Sequence, residues 1–452
     1  MDLWHITTAG RLHRPTPTSR RDRRRAWDAR TRRALTVSVM TAEIEWFHLI
    51  QTLLDRSHRW QPEDVAAVLS DAASRLGIAT TVYQIDYEQR HLRPLSVPGA
   101  KASDPLQVDA SPAGRAFALV ESIHRRTAAG GVWWCPMVNG TDRLGVVEFL
   151  MPPGESTEDA AMQHRCETVA GLVGHLITTT TPRGDHLEHA RRTQPMTIGA
   201  ELLWQMLQPF TVSIDEFVIS TVLEPSYDVG GDGYDYAVDG RRPQFTILDA
   251  AGRRLRAGLA CAVVLAAVRA TRRAGGDLRQ QARAADAALQ EQFRDARFAT
   301  AVLVELDLDT GVLRYLNAGH PPPLLLRDGH VVRTLGGGRR LPLGIDDETT
   351  AYGEERLQRG DRLLLYTDGV TEARDATGEL FGTRRLVDLA EQHAVDGLPV
   401  PETLRRLSHA VTDHRHESPA DDATLMLVQW SADAAARTLP PTSRHSDGDA
   451  ER

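Results

Sequence analysis

In the second half of this chain, apolar strand-like runs keep meeting a carboxylate at one end. Leu363-Leu364-Leu365-Tyr366-Thr367 runs into Asp368-Gly369, and the apolar run 245–248 meets Asp249, ahead of Ala250-Ala251-Gly252. Asp421-Asp422 stand directly before Ala423-Thr424 and the last apolar run, and Asp232 lies in the Gly-rich stretch Val229-Gly230-Gly231-Asp232-Gly233-Tyr234-Asp235. A charged carboxylate at a sheet edge without a partner costs several kcal/mol or takes up a proton. Four that converge would also repel one another. Hard divalent cations resolve both difficulties, because Mg²⁺ and Mn²⁺ prefer oxygen ligands. Two such ions about 3.5–4 Å apart can hold a water between them, lower its pKa and stabilise an in-line displacement at phosphorus. Taken singly the motifs are bland: Asp368-Gly369 reads as a turn, and Asp421-Asp422 as a solvated or helix-capping pair. Their joint order along one half-chain carries the constraint.

At 452 residues the chain exceeds what one core supports and implies about two or three domains. Residues 1–39 hold ten arginines against Asp2, Asp22 and Asp28, a balance of +7; with a net charge of −8, the remainder carries −15. A body so acidic has no electrostatic reason to bind nucleic acid, and it suits divalent cations wherever its carboxylates converge. The arginine-rich start reads as a solvated, disordered tail rather than a nucleic-acid or membrane patch. Cys135, Cys166 and Cys261 are scattered and odd in number, with neither disulfide nor zinc spacing. The longest apolar run, Gly258–Val268, falls short of the roughly 20 residues a bilayer span needs. No apolar segment follows the N-terminal arginines as a secretory signal requires. These features point to a cytoplasmic protein with no nucleic-acid and no membrane partner.

Periodicity divides the rest. Ile44, Phe47, Ile50 and Leu54 recur at helical spacing, as do Val65, Val68, Leu69 and Leu76, with Gly77 where a C-cap belongs. Residues 80–86, 132–137 and 144–151 read as strands, followed by a helix over 158–177, which gives an α+β domain with a mainly antiparallel sheet. Residues 182–196 are polar, and Pro195 breaks any continuous helix. Ile198, Leu202, Leu203, Met206 and Leu207 then form an apolar stripe stopped by Pro209. Beyond it, strands are predicted at 217–222, 244–248, 301–308, 312–317, 323–327, 362–367 and 424–430, and helices at 255–274, 278–293, 384–393 and 402–413. The resulting plan is a tail at 1–41, a first domain at 42–181, a linker with an amphipathic helix at 182–210, a second domain at 211–431 and a disordered tail at 432–452.

Two resemblances add to this reading. Ser111-Pro112-Ala113-Gly114-Arg115-Ala116-Phe117, Trp133-Trp134-Cys135-Pro136 and Arg143-Leu144-Gly145-Val146-Val147 look like a GAF domain over roughly residues 43–180. That implies an antiparallel sheet with helices, a sensor role and a small-molecule ligand as a candidate. Residues 224–430 resemble the metal-dependent PPM serine/threonine phosphatases of the sporulation-E and RsbU-like branch. Besides the aspartate motifs, the matching stretches are Phe298-Ala299-Thr300, Asn317-Ala318-Gly319-His320-Pro321-Pro322, Leu341-Pro342-Leu343-Gly344, Gly360-Asp361-Arg362, Thr371-Glu372-Ala373 and Phe381-Gly382.

The second resemblance implies an α/β/β/α layered sandwich with two Mn²⁺ or Mg²⁺ ions in a cleft between sheets. The implied metal ligands are Asp232, Asp249 (bridging), the backbone carbonyl of Ala250, Asp368 and Asp421, with Asp422 as the alternative to Asp421. It implies hydrolysis of phosphoserine or phosphothreonine by a water that the ions activate, with no covalent nucleophile. In this branch the implied substrate is a phosphorylated STAS-type anti-sigma-factor antagonist, here under control of the GAF-like domain. His320 reads as ordering its turn rather than as a general acid. There is one departure: the family has a second glycine where Gly252-Arg253-Arg254 places an arginine. If that position needs φ > 0, Arg254 costs roughly 1 kcal/mol or more. Arg254 is the feature favouring a second reading, a non-catalytic pseudophosphatase scaffold, and the intact aspartates count against it. The linker helix at 197–208 is the candidate contact for a homodimer.

Overall fold

A computed structural model describes residues 43–441 except 98, 100–102, 128–129, 154–158, 229, 294, 296, 349–350 and 416–420. The arginine-rich start and the end of the polar tail lie outside the described residues.

In the first half, helices α1 (residues 43–57) and α2 (Asp64–Ser74) lead into strands β1 (Ala79–Ile85), β2 (His91–Pro94) and β3 (Leu106–Gln107). Helix α3 (Pro112–Leu119) follows, then β4 (Ile123–Thr127), β5 (Gly130–Asn139), β6 (Asp142–Leu150) and the long α4 (Ala160–Thr180). The six strands form one sheet in the order β3-β2-β1-β6-β5-β4, antiparallel at every pairing. Ser111 starts α3 by accepting a hydrogen bond from the Gly114 amide at 3.0 Å, with Pro112 at the first helical position. Side chains alternate across β5, so Trp133 packs with α1, α2 and α4 while Trp134 joins Phe117 of α3 on the other face.

Two short helices cross to the second half. Helix α5 (His186–Arg191) lies in the stretch read as polar: its buried apolar anchor, Leu187, is a single residue and leaves no period to see. Helix α6 (Ile198–Met206) is the expected amphipathic segment. It buries Ala200 and Leu203 in the core of the second half and leaves Ile198 74% exposed.

The second half contains strands β7 (Thr211–Ile214), β8 (Phe217–Glu224), β9 (Asp232–Ala237) and β10 (Gln244–Ala250), then helices α7 (Arg254–Arg273) and α8 (Leu278–Gln292). Strands β11 (Ala299–Leu306), β12 (Val312–Ala318), β13 (Leu324–Arg327), β14 (His330–Thr334), β15 (Arg339–Arg340), β16 (Gly353–Arg356) and β17 (Arg362–Tyr366) come next. The half closes with α9 (Asp368–Thr371), α10 (Gly382–Val395), α11 (Val400–His414) and β18 (Ala423–Trp430). One sheet runs β15-β12-β11-β10-β9, with β16 also on β12, and the other runs β14-β13-β17-β18-β8-β7. Their facing sides share a core that includes Phe217, Ile219, Phe245, Ile247, Met426 and Val428. Helices α7 and α8 cover the outer face of the first sheet through Val264, Leu265 and Leu289 against Leu248 and Leu303. Helices α10 and α11 cover the second through Leu386, Leu404 and Leu407 against Leu364 and Leu427. The layers are therefore α/β/β/α, and the chain as a whole mixes helix and sheet as expected.

Three details correct the sequence reading. Strand β10 runs two residues past the predicted end at 248, so Asp249 sits inside a strand, opposite Asp232 and Thr300. Strand β9 was read as a Gly-rich turn, because glycines at 230, 231 and 233 hide its alternation. The polar tail assigned to 432–452 starts packed rather than disordered: Ala434 and Thr438 are buried around the short turn Ala435–Arg437.

Candidate metal centre

The carboxylates come from four separate chain segments and two different sheets. Asp232 opens β9 and faces Asp249 across the β9–β10 ladder, which puts both on one face of the first sheet. Asp368 opens α9 at the end of β17 in the second sheet, and Asp421-Asp422 stand where the chain enters β18 beside it.

Asp232 is almost wholly buried, and its Oδ2 accepts hydrogen bonds from Thr367 Oγ1 and Thr424 Oγ1, both at 2.7 Å. Thr424 lies in β18 and Thr367 directly follows β17, so this carboxylate fastens the first sheet to the second. Asp422 Oδ2 accepts from three successive backbone amides: Gly230 at 2.6 Å, Gly231 at 2.7 Å and Asp232 at 3.2 Å. The glycines are required there. A Cβ on Gly231 would lie 2.2 Å from the Ala250 carbonyl oxygen, and one on Gly369 would lie 1.7 Å from that of Asp422. Asp421 is exposed, and its Oδ1 accepts from the Asp422 amide at 3.0 Å.

The electrostatics follow from this crowding. Burial pushes the Asp249 carboxyl up to about 7, with the charges of Asp368, Asp421 and Asp422 adding to the shift. Burial, then Asp422 and Asp249, drives Asp232 well above the usual carboxylate range. Asp422 rises to about 6 through burial, although its three amide partners oppose the shift. Asp368 is raised by burial and then by Asp421 and Glu372. Each of these shifts states that positive charge in the cleft would be stabilising. Among the described residues, no three acidic, histidine or cysteine side chains close around a common point. The donor set that faces the cleft is nonetheless all oxygen, the chemistry that suits Mg²⁺ or Mn²⁺ rather than softer ions.

Five further residues complete the picture. His320 is buried, and burial lowers its pKa to about 3. Its backbone N–H donates to Asn317 Oδ1 at 2.8 Å and its carbonyl accepts from Asn317 Nδ2 at 2.9 Å, so it orders the turn, and its imidazole is uncharged near neutrality. Arg254 has φ +56°, the left-handed conformation that its glycine-to-arginine departure implied. Thr367, Thr424 and Arg415 were not singled out from sequence. The threonines carried a signal, since each sits one or two residues from a flagged aspartate; Arg415 carried none.

Known proteins resemble this chain over its second half. Residues 239–431 match the family described as Stage II sporulation protein E (SpoIIE), a span that holds Asp249, Asp368 and Asp421 and begins after Asp232. Phosphoserine phosphatase RsbU of Bacillus subtilis is 23% identical over 212 residues, covering 47% of this chain and 62% of that protein. Phosphoserine phosphatase RsbP of the same organism is 28% identical over 222 residues, covering 47% and 52%. The chain thus spans between 52% and 62% of the length of these two relatives. Among solved structures, the SiaA-PP2C domain of Pseudomonas aeruginosa is 26% identical and is covered over 86% of its length, with a TM-score of 0.42. No helix among the described residues is long and apolar enough to cross a membrane. The second half of this chain therefore carries a segment, residues 239–431, that matches the SpoIIE family.

Proposed function

We propose that the chain is a metal-dependent protein serine/threonine phosphatase, that its cleft holds two Mn²⁺ or Mg²⁺ ions, and that the GAF-like first half regulates it. The observation that carries the reading is Asp249: burial opposite Asp232, and then the charges of Asp368, Asp421 and Asp422 from other chain segments, push its carboxyl up to about 7. The ligands we assign are Asp232, Asp249, the Ala250 carbonyl, Asp368 and Asp421, with Asp249 shared between the ions. Asp421 is preferred to Asp422 because one oxygen of Asp422 already serves three backbone amides. When bound, the ions would lower the pKa of a water and offset charge developing at phosphorus. The chain's own part is to hold the carboxylates in place. Thr367 and Thr424 fix Asp232 between the sheets, and the Gly230–Asp232 amides fix the loop that carries Asp421.

The relatives named phosphoserine phosphatases support phosphoserine as substrate, and we assign a phosphorylated STAS-type anti-sigma-factor antagonist as its bearer. The test uses the full chain with p-nitrophenyl phosphate and a phosphoserine peptide, with and without Mn²⁺. Turnover that requires the metal and vanishes in Asp368→Asn is the expected result. A well-folded chain with no turnover under saturating Mn²⁺ or Mg²⁺ would replace this reading by the scaffold, which the left-handed Arg254 beside the cleft favours.

A further inference from the structure

Helix α11 belongs to two neighbourhoods at once. Along most of its length the first half of the chain grips it. Glu402, fully buried, accepts from Arg405 Nε at 2.9 Å and from Arg143 Nη1 of β6 at 3.4 Å. Arg405, 1% exposed, also donates to the Gln89 carbonyl at 3.3 Å and pairs with Asp109. His409 Nε2 lies 2.8 Å from the Glu88 carbonyl oxygen, and Arg90 pairs with Asp413 at 2.6 Å. Charged groups buried this way contribute little net stability but tolerate one relative placement of the two bodies.

The other neighbourhood is the cleft. Arg415 ends α11, its amide bonded to the Val411 and Thr412 carbonyls, and its Nη2 donates to the Gly369 carbonyl at 2.9 Å, directly after Asp368. The charges of Glu224, Asp422, Asp421 and Asp232 act on its guanidinium. From His409 to His414 the path is continuous helix, about 1.5 Å of rise per residue, and Arg415 caps it, so displacement of the gripped face is delivered to the Gly369 turn.

We propose that Arg415 positions the phosphate of the substrate at the cleft, and that the first half of the chain sets where Arg415 stands by holding α11. The ligand in this inference rests on the phosphatase reading; the mechanical coupling does not. A guanidinium presents paired N–H donors that match two phosphate oxygens, and Arg415 reaches the acidic cleft already tied to the backbone beside Asp368.

The experiment uses the full chain with Mn²⁺, p-nitrophenyl phosphate as substrate and inorganic phosphate as inhibitor. Arg415→Gln raises both KM and the phosphate inhibition constant roughly tenfold or more, the loss expected of a charge-assisted hydrogen bond, with kcat and Mn²⁺ activation moving far less; Arg415→Lys recovers part of the loss. The grip is loosened at its exposed partners by Arg90→Gln with Asp109→Asn, which leaves the buried members in place. That double variant raises the same two constants several-fold, and adds nothing further in the Arg415→Gln background, because residues on one path act non-additively. Unchanged phosphate inhibition in Arg415→Gln, or a grip effect that persists undiminished there, overturns the proposal. Two readouts need no turnover. Calorimetric binding of inorganic phosphate in the presence of Mn²⁺ weakens in Arg415→Gln, and equal affinity refutes the positioning role. Amide exchange in the loosened variant quickens at 411–415 and 421–424 but not in α7, and an unchanged pattern refutes the coupling. Wild-type chain that binds Mn²⁺ and phosphate yet hydrolyses nothing would sink the phosphatase reading alone.

Discussion

Replacing Arg254 by glycine should make this protein more stable, although it removes a large side chain. Arg254 holds φ +56° at the first position of α7 and is exposed. A left-handed backbone costs a residue with a Cβ roughly 1–2 kcal/mol. No acidic residue occupies the first turn of α7, so the guanidinium adds positive charge to the positive end of the helix dipole, unfavourable by about 0.3 kcal/mol when exposed. Glycine also frees the unfolded chain, which offsets about 0.4–1 kcal/mol of the gain. The net is about 0.3–1.9 kcal/mol in favour of Arg254→Gly, or a rise in Tm of roughly 1–8 °C for a domain of this size. Differential scanning calorimetry of the metal-free chain reads it directly. Arg254→Ala separates the causes: it removes the charge but keeps the Cβ, so it should recover no more than the dipole contribution. Equal gains for alanine and glycine, or a lower Tm for Arg254→Gly, would refute the argument from backbone strain.

Other expectations follow from single observations. Gly369→Ala places a Cβ 1.7 Å from the Asp422 carbonyl oxygen and should cost about 3 kcal/mol or more in urea unfolding, whereas Gly171→Ala, in α4 with open space around it, should gain up to about 1 kcal/mol. Thr367→Val with Thr424→Val strips both hydroxyl donors from Asp232 Oδ2, and should raise the Mn²⁺ concentration for half-activation of p-nitrophenyl phosphate hydrolysis about tenfold. Burial, then the charge of Arg405, lowers the His409 pKa to about 4 from an ordinary 6.5. The unfolded chain therefore takes up that proton first, and the contribution of a neutral His409, up to about 3 kcal/mol, is complete above pH 6.5 and lost as pH falls toward 4. Urea midpoints at pH 7 and 4.5 should differ less in His409→Gln than in the wild type, and equal differences would remove His409 from the account.

Much of the fold was legible because strands and helices of the second half are long and apolar enough to show their period. What failed did so for identifiable reasons. Strand β9 vanished among glycines, yet those glycines exist to let β10 and the Asp422 carboxylate approach the backbone of 230–232, a demand made by residues far away in sequence. Strand β8 is buried along its whole length because a sheet and a helix layer cover its two faces, so alternation carries no information about its partner. The Arg254 turn was legible because a motif with one glycine missing makes a statement about φ that needs no partner.

The pair Asp421-Asp422 and helix α11 mark the boundary of such inference more sharply. Two adjacent identical residues cannot be assigned different tasks from sequence, and here the difference comes from the Gly230–Asp232 amides, which engage one oxygen of Asp422 and none of Asp421. On α11, Glu402, Arg405 and His409 recur at helical spacing and would pass for a solvated charged face. They are buried only because β6 and the residues around Gln89 close over them. Burial of a charge is a property of the neighbour that covers it, so a single sequence reveals the carboxylates whose surroundings are local strands and misses those whose surroundings are another domain. For the same reason, the charged residues of α11 that meet the first half of this protein are ones its sequence concealed.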